Sequence, residues 1–323
     1  MQGYYRFPSI NNDTIIFVCE DDLWAVSIEG GIAQRLTSNL GRIMNCSISP
    51  DGEYIAFTGR EEGTNEVYCM SIKGGRAKRL TFLGANTMVR GWSRDGKRII
   101  FASDFGQWYP GFTFIYTVDK NKDIPRLIPV GPARTISYGP EKGVVIGRNT
   151  SDPARWKRYR GGTVGEIWID CEENGKFKKL IDLTGNLADT SWIGYRIYFI
   201  SDHESIGNIY SCTNQGEDLK RHTDHRDFYV RNAKTDGKNI VYHSGGDIYV
   251  LYTENDRVEK VEIDFRSSRV QKQRKFVDAN KYLEDYAIHP EGNMVCITSR
   301  GRVFSLANWE GPVIQNGSKS GAR

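Results

Sequence analysis

The sequence lacks long hydrophobic segments. No apolar run among its 323 residues reaches ten residues, whereas a transmembrane helix needs about 20. The N-terminus, MQGYYRFPSI, has neither the charged region nor the apolar region of a secretory signal peptide. These absences predict a cytoplasmic protein that makes no contact with a membrane.

Paired cysteines are missing as well. No C-x-x-C motif occurs, and no histidine lies near a cysteine at metal-ligand spacing. Several cysteines lie in apolar, strand-like runs, where a free thiol behaves as a small hydrophobic group. We therefore expect buried free thiols, without a disulfide framework, a metal or a cofactor, at Cys19, Cys46, Cys69, Cys171, Cys212 and Cys296.

Motifs of catalysis and phosphate binding are incomplete. The segment GSKSG (317–321) has Lys319 where a nucleophile elbow has serine. GWSRDGKR (91–98) has Arg98 where a phosphate-binding loop has a hydroxyl residue, so it is interpreted as a turn. His222 and His225 have no third ligand nearby, which predicts a solvated loop. No catalytic or metal-binding residue is predicted.

A repeated pattern is present along the chain. One part is a turn followed by a short apolar strand, as in SPDGEYIAFTG (49–59), SRDGKRIIFAS (93–103), TDGKNIVYHSG (235–245) and HPEGNMVCITS (289–299). Asp-Gly pairs supply the positive φ angles that a tight turn between two strands needs. The pattern predicts successive antiparallel hairpins in an all-β protein.

The second part of the repeat is an aromatic residue in a short strand, followed by a turn and a basic strand. Its spacing of about 39 to 55 residues is typical of one four-stranded propeller blade. A flat blade cannot bury both faces by itself, so the aromatic side chains are predicted to pack between neighbouring blades. They are Trp24, Tyr68, Tyr116, Trp168, Tyr210, Tyr249 and Phe304.

Seven repeat units allow two arrangements. Six units occupy residues 1–264, a polar segment at 265–281 follows, and the seventh unit lies in 282–323. All seven could close one seven-bladed ring. Alternatively, six could close a six-bladed ring, with the polar segment as a linker to the first blade of an incomplete second propeller. Spacing alone leaves both arrangements open.

One basic cluster is a candidate binding site. RWKRYRGG (155–162) places basic residues beside Trp156 and Tyr159 in a long insertion of the fourth unit. Such a loop could hold single-stranded nucleic acid or the carboxylate of a peptide, or it could pack Trp156 against a neighbour. The net charge of +4 is too small to imply nucleic-acid binding. The candidate peptide contacts are Arg155, Lys157, Arg158 and Arg160.

Longer stretches resemble the N-terminal six-bladed propeller of the tricorn protease family. They are INNDTIIFVCEDDLW (10–24), GRNTSDPARWKRYRGGTVGEIWI (147–169) and the segment 195–238, which contains DLKRHTDHRDFYVRNAKTDGK. The tail KYLEDYAIHPEGNMVCITSRGRVF (281–304) is similar to the opening of the family's second, seven-bladed propeller. The short repeats themselves are similar to TolB-type propeller repeats. The resemblance covers essentially the whole chain and favours six blades plus one.

This resemblance implies a cytosolic peptidase that degrades oligopeptides. In the family, further domains carry the serine nucleophile and its histidine, and this sequence contains none of them. The implied function is that of a non-catalytic N-terminal propeller subunit or fragment of a tricorn-like serine peptidase, which forms a gate or channel wall for peptides. The implied partner is a second chain with the remaining blades and the catalytic domains, within a larger oligomer. No nucleic acid and no cofactor are implied.

One part of the family pattern is absent. Adjacent arginines in a propeller loop of the family anchor the carboxylate at the substrate's C-terminus. The corresponding stretch, TFLGANTMVRGWSRDG (81–96), contains the single Arg90, so this anchor is not carried over. No substrate selectivity is therefore carried over either. The rival interpretation of the whole chain is a standalone TolB-like propeller that serves as a scaffold for protein–protein binding.

Overall fold

Each repeat unit forms one antiparallel sheet. The computed structural model describes residues 3–39, 41–121, 124–269 and 278–317. A first compact unit ends at Ser268, and a second begins at Arg269. The first unit contains six sheets of consecutive strands, each with at least four strands. The predicted six-bladed propeller is confirmed. No described helix is long and apolar enough to cross a membrane.

The first three blades follow the predicted hairpin pattern. Within each of them the four strands pair in sequence order, and every neighbouring pair is antiparallel. Their strands are β1 (Arg6–Asn11), β2 (Thr14–Cys19), β3 (Asp22–Ser27), β4 (Gly30–Arg35), β5 (Ile43–Ile48), β6 (Tyr54–Gly59), β7 (Glu66–Ser71), β8 (Lys78–Arg79), β9 (Thr87–Trp92), β10 (Arg98–Ser103), β11 (Phe114–Asp119) and β12 (Arg126–Pro132).

Blades four to six repeat this arrangement. Their outermost strands are short, and a further two-residue strand follows the sixth blade. The strands are β13 (Thr135–Tyr138), β14 (Val144–Arg148), β15 (Glu166–Asp170), β16 (Lys178–Lys179), β17 (Leu187–Ile193), β18 (Arg196–Ser201), β19 (Asn208–Thr213), β20 (Lys220–Arg221), β21 (Arg231–Thr235), β22 (Asn239–Ser244), β23 (Asp247–Tyr252), β24 (Arg257–Lys260) and β25 (Ile263–Asp264).

The Asp-Gly sequences form the predicted turns. Gly52 and Gly96 have φ angles of 74° and 66°, which favour glycine because it lacks a Cβ atom. In the third blade the Ser93 amide donates to the Arg98 carbonyl at 2.8 Å and closes the turn between β9 and β10. GWSRDGKR is therefore a hairpin turn, as predicted.

The repeated aromatic residues pack between blades. Six hydrophobic clusters each join the facing sides of two neighbouring blades, and the last of them joins blades six and one. Each cluster contains or contacts one of the predicted aromatic side chains, so the predicted role is confirmed for the ring. The six are Trp24, Tyr68, Tyr116, Trp168, Tyr210 and Tyr249.

A threonine after the fourth strand fastens the outer edge of several blades. The hydroxyls of Thr37, Thr81 and Thr223 accept from a backbone amide of the third strand, each at 2.9 Å. The same hydroxyls donate to the first side chain of that strand, for example from Thr81 to Glu66 at 2.6 Å. The repeat of a basic residue, one intervening residue and threonine thus satisfies buried polar groups at each edge.

The ring is closed where the chain leaves the sixth blade. Strand β25 pairs in parallel with β4 of the first blade, and the Gly31 amide donates to the Glu262 carbonyl at 2.9 Å. Next to β25, the buried Phe265 packs its ring 4.5 Å from that of Trp24 and 5.6 Å from that of Tyr5. These contacts join the segment that follows the sixth blade to the first blade.

The second unit contains a single described sheet. It is preceded by a 3-10 helix, and the predicted linker at 265–281 lies partly outside the described residues. Every residue of its first strand is exposed, which differs from the inner strands of the ring. The elements are the 3-10 helix Ala279–Tyr282 and the strands β26 (Leu283–Ile288), β27 (Met294–Ser299), β28 (Arg302–Ala307) and β29 (Ile314–Asn316).

We predict that Phe265→Ala lowers the free energy of unfolding of the ring by about 3–5 kcal/mol, the usual cost of removing a buried phenylalanine side chain. Urea denaturation followed by tryptophan fluorescence measures this change. Phe82→Ala is the matched control, because Phe82 is 62% exposed, and it should cost about 1 kcal/mol or less. Equal effects of the two substitutions would contradict the proposed closure.

Candidate functional site in and around the central channel

The innermost strands of all six blades line a central cavity. This channel cavity has a volume of about 630 Å³ and extends to the turns that follow these strands. Its walls include polar and charged side chains, which distinguishes it from the apolar clusters between the blades. One lining residue from each inner strand, in blade order, is Ile10, Ser47, Arg90, Thr135, Asp189 and Lys234.

Irregular backbone aims side chains into the channel. The pairing of β17 with β18 shifts register between Ala188 and Ser191, and Asp189 within this bulge has a φ of 47°. Equivalent residues with positive φ lie in three other inner strands, at Phe7, Asn45 and Asn232. A bulge redirects side chains and strengthens local twist. None of these residues is glycine, so no sequence pattern indicated the bulges.

Two cations and one carboxylate meet in the channel. The Lys234 ammonium donates to the Arg90 carbonyl oxygen. Burial, followed by the nearby Arg90 charge, lowers the pKa of Lys234 to about 8. Burial raises the pKa of Asp189 although the Arg90 charge opposes this. The Arg90 Nε and the Thr190 hydroxyl are buried without a protein partner among the described residues, so they are available to water or a ligand.

Of the four basic residues that were predicted to contact peptide, two line a cavity and two do not. They belong to the loop 149–165 between β14 and β15. Lys157 and Arg158 line a second cavity of about 470 Å³, the rim cavity. Arg155 and Arg160 are exposed and do not line it. Two of the four candidates are thus brought together at one cavity.

Polar contacts from the fifth blade hold this loop. The Arg158 amide donates to an Asp202 carboxylate oxygen at 2.6 Å, and the Asn186 side chain donates to the Trp156 carbonyl at 2.6 Å. Within the described part of the chain, the one aromatic ring that packs against Trp156 is that of Tyr159 in the same loop, and Trp156 is 61% exposed. This differs from the packing of Trp156 against a neighbouring element that the sequence suggested.

The rim cavity contains residues that sequence reasoning missed. It lies at the opposite end of the inner strands from the channel cavity, because it is lined by Arg231 at the start of β21 rather than by Thr235 at its end. His243 also lines it, is 1% exposed and has no hydrogen-bond partner at either ring nitrogen among the residues that the structure describes. In the sequence, nothing distinguished His243 from the other histidines.

A serine, a histidine and an aspartate form a hydrogen-bonded chain. The Ser211 hydroxyl lies 2.6 Å from His222 Nε2, and His222 Nδ1 lies 2.5 Å from a carboxylate oxygen of Asp256. His222 is buried, so the predicted solvated loop is wrong at this position. The three residues are not close in sequence, so no local motif indicates their association.

These three hydrogen-bonded residues have a structural role, not a catalytic one. Ser211 is fully buried within β19, so no substrate carbonyl can reach its hydroxyl. Its oxygen also accepts from the Arg196 guanidinium at 2.7 Å, which opposes its action as a nucleophile. Asp256 lies between β23 and β24, so the contacts fasten the fifth blade to the sixth. Among the described residues, no group of three histidine, cysteine or acidic side chains could hold a metal ion.

We predict that His243 makes the ring sensitive to acid. Burial, followed by the Arg231 and Arg6 charges, lowers its pKa from the ordinary 6.5 to about 3. The unfolded chain therefore takes up a proton below pH 6.5, whereas the native chain does not until about pH 3. The free energy of unfolding of the wild-type ring should therefore fall between pH 7 and pH 5. His243→Leu should make this fall smaller by about 2 kcal/mol.

Urea denaturation at pH 7, 6 and 5 measures this dependence. The control is His289→Leu, because His289 is exposed in the second unit, and this variant should keep the wild-type profile. Parallel profiles for His243→Leu and wild type would contradict the proposed protonation behaviour.

GSKSG lies outside the described residues after Gly317, so the structure adds nothing to that motif.

Comparison with known proteins places this geometry in a family. Residues 2–257 match the model of the tricorn protease N-terminal β-propeller domain. The tricorn protease homolog of Saccharolobus solfataricus is 37% identical over 329 residues, which cover 100% of this chain and 30% of the relative. The chain therefore spans about 30% of the length of that relative.

Two further comparisons agree. The tricorn-like protease N-terminal subunit of Sulfurisphaera tokodaii is 34% identical over 177 residues, which cover 54% of this chain and 89% of that protein. The crystal structure of the tricorn protease superposes with a TM-score of 0.85 at 33% identity and covers 99% of this chain and 32% of that one. The chain therefore belongs to the tricorn protease family and carries its N-terminal β-propeller.

Proposed function

We propose that this chain is the non-catalytic N-terminal propeller part of a tricorn-like serine peptidase that degrades oligopeptides. In this role the ring forms a gate or a wall of the channel through which peptides pass. The observation that supports it most is the family match along the chain. The polar cavity at the centre of the ring agrees with it. The catalytic serine and its partners belong to other domains of the complex.

The channel cavity is suited to contact with peptides. Its volume of about 630 Å³ is within the range of about 300–1,000 Å³ of small-molecule sites. Buried hydrogen-bonding atoms without a protein partner, such as Arg90 Nε, can bind the polar backbone of a peptide. Arg155, Lys157, Arg158 and Arg160 are the further peptide contacts in this proposal, at the entrance to the rim cavity or close to it.

The second unit supports the proposal of a partner. Its sheet leaves large apolar side chains exposed, with Tyr286 at 64%, Ile288 at 62% and Ile314 at 53%. Burying such a side chain contributes about 1.5–3 kcal/mol. We propose that the segment 282–323, which contains this sheet, belongs to the first blade of a second propeller, whose remaining blades and catalytic domains come from a second chain in a larger oligomer.

The free thiols are consistent with a cytoplasmic complex. No disulfide joins the cysteines among the described residues, and Cys19, Cys46, Cys69 and Cys212 are buried. Burial raises the pKa of Cys69 and Cys212 to about 11, which keeps these thiols protonated and unreactive. Free thiols are typical of reducing compartments, so we propose that the complex works in the cytoplasm.

The rival function is a standalone propeller that binds proteins through its rim loops. The exposed aromatic side chains of the loop after β10, Trp108 at 96% and Tyr109 at 59%, are the observation that favours it. Such a scaffold needs no catalytic partner. The two functions therefore differ in whether a serine peptidase accompanies the chain.

We predict that the chain, tagged in its source cells and purified natively, brings with it a second polypeptide that reacts with a fluorophosphonate probe. The complex should hydrolyse fluorogenic tetrapeptides. The chain alone should neither react nor hydrolyse, because Ser211 is buried. Native mass spectrometry and in-gel fluorescence provide the measurements.

Ser211→Ala is the control for this experiment, and it should leave the labelling and activity of the complex unchanged. Labelling of the isolated chain that disappears in Ser211→Ala would instead make this chain the peptidase. Purification of the chain without any probe-reactive polypeptide would favour the scaffold function.

A further inference from the structure

Blades three and six lie on opposite sides of the ring. The blades follow one another around it in sequence order, because each apolar cluster joins two consecutive blades and one cluster joins blades six and one. In a ring of six, blade six therefore faces blade three across the channel. Arg90 belongs to β9, the innermost strand of blade three, and Lys234 belongs to β21, the innermost strand of blade six. A bond between these two residues crosses the channel.

Lys234 makes such a bond. Its ammonium donates to the Arg90 carbonyl oxygen, although the two residues are 144 positions apart in the sequence. The carbonyl is available because Arg90 lies at a register shift in the pairing of β9 with β10, and the extra residue of a bulge is left unpaired in the ladder. Since the acceptor is a backbone atom, the bond does not depend on the Arg90 side chain. We call this hydrogen bond the cross-channel contact.

A carboxylate of blade five holds Lys234 in place. Asp189 in β17 accepts a hydrogen bond at 3.2 Å from the amide of Ala233, the residue before Lys234. Burial raises the pKa of Asp189, and the nearby charges of Arg90 and Lys234 oppose this rise. When it is ionised, Asp189 attracts the Lys234 ammonium at the point where that side chain crosses the channel. Strands from three blades thus converge on the cross-channel contact.

The cross-channel contact separates the two ends of the inner strands. The channel cavity and the rim cavity lie at these opposite ends, and within the described part of the chain no residue lines both. In β21, Arg231 lines the rim cavity, whereas Lys234 and Thr235 line the channel cavity. An extended peptide with its side chains occupies about 5 Å by 10 Å in cross-section. At the level of the contact, however, the Lys234 side chain already fills the width between β21 and β9.

We propose that the Lys234 side chain bars the central channel, and that a peptide passes along the channel only after Lys234 has released the Arg90 carbonyl. A lysine is suited to this role, because its flexible four-carbon stem can swing aside while the strands stay in place. Only one hydrogen bond to the opposite blade has to break. This inference rests on the proposed function, since the passage of peptides along the ring is part of it. It adds the residue that closes the route.

The first experiment tests closure in the isolated full chain. Competitive labelling with acetic anhydride, followed by peptide mass spectrometry, gives the reaction rate of each lysine. Lys234 should react about tenfold more slowly than Lys238, which is exposed in the turn after β21, because the reagent reaches a shielded amine only when the contact opens. Burial lowers the pKa of Lys234 to about 8, which by itself would speed the reaction, so slow labelling reports shielding. Equal rates overturn the inference.

The second experiment tests passage in the purified complex. Two fluorogenic tetrapeptides with the same leaving group, Ala-Ala-Ala-Ala and Trp-Ala-Trp-Ala, differ in width. Lys234→Ala cannot reach β9, so it should raise kcat for the bulky peptide relative to the small one about threefold, as expected when a gate limits turnover. Lys234→Met, which cannot donate, should act in the same direction and serves if Lys234→Ala fails to fold.

Two further variants are the controls for this ratio. Lys234→Arg should restore the wild-type ratio, because arginine is long enough and still donates. Lys238→Ala should also keep it, because Lys238 does not line the channel cavity. An unchanged ratio in Lys234→Ala and Lys234→Met, or an equal rise in Lys238→Ala, overturns the role of Lys234 in passage.

The two experiments separate this inference from the proposed function. If no probe-reactive polypeptide accompanies the chain, the proposed function fails and the role in peptide passage fails with it. Labelling of the isolated chain still decides whether Lys234 bars the channel. Conversely, if the complex is active and Lys234 is shielded, but the ratio of turnover does not change in Lys234→Ala, only the inference fails. Peptides would then reach the active serine by a route outside this ring.

Discussion

Each blade of this protein depends on its neighbours to cover its two apolar faces. A four-stranded sheet cannot bury both sides by itself, and burial of apolar surface is the main favourable contribution to folding. In the first unit, closure of the ring covers both faces of every blade. Six clusters join neighbouring blades, and Phe265 packs against Trp24 where the ring ends. In the second unit one sheet stands with exposed apolar side chains.

Closure also creates the candidate sites. When six inner strands converge, their side chains enclose a channel, and bulges such as the one at Asp189 turn polar groups into it. At the opposite end, Lys157 from the loop between β14 and β15 and His243 from β22 line the rim cavity. Neither cavity exists within one blade. Function in this fold therefore requires the complete ring, and a substitution at the closure would disturb both cavities.

Sequence periodicity predicted the fold because it is local. Trp24 and the Asp-Gly turn at Gly96 each reflect contacts within a blade or with the adjacent one. The basic loop was also recognised, although only Lys157 and Arg158 line a cavity. The buried state of His222 and the unpaired state of His243 were not predictable, since both depend on residues that closure brings from another blade. Local patterns contain no information on such contacts.

The most direct test of the central claim is amide hydrogen exchange measured along the whole chain. If blades require neighbours, residues 278–317 should exchange much faster than the ring in the isolated chain, because open sheet faces and edges allow local unfolding. The same residues should become protected in the purified complex with the second chain. Protection of 278–317 equal to that of blades one to six in the isolated chain would contradict the claim.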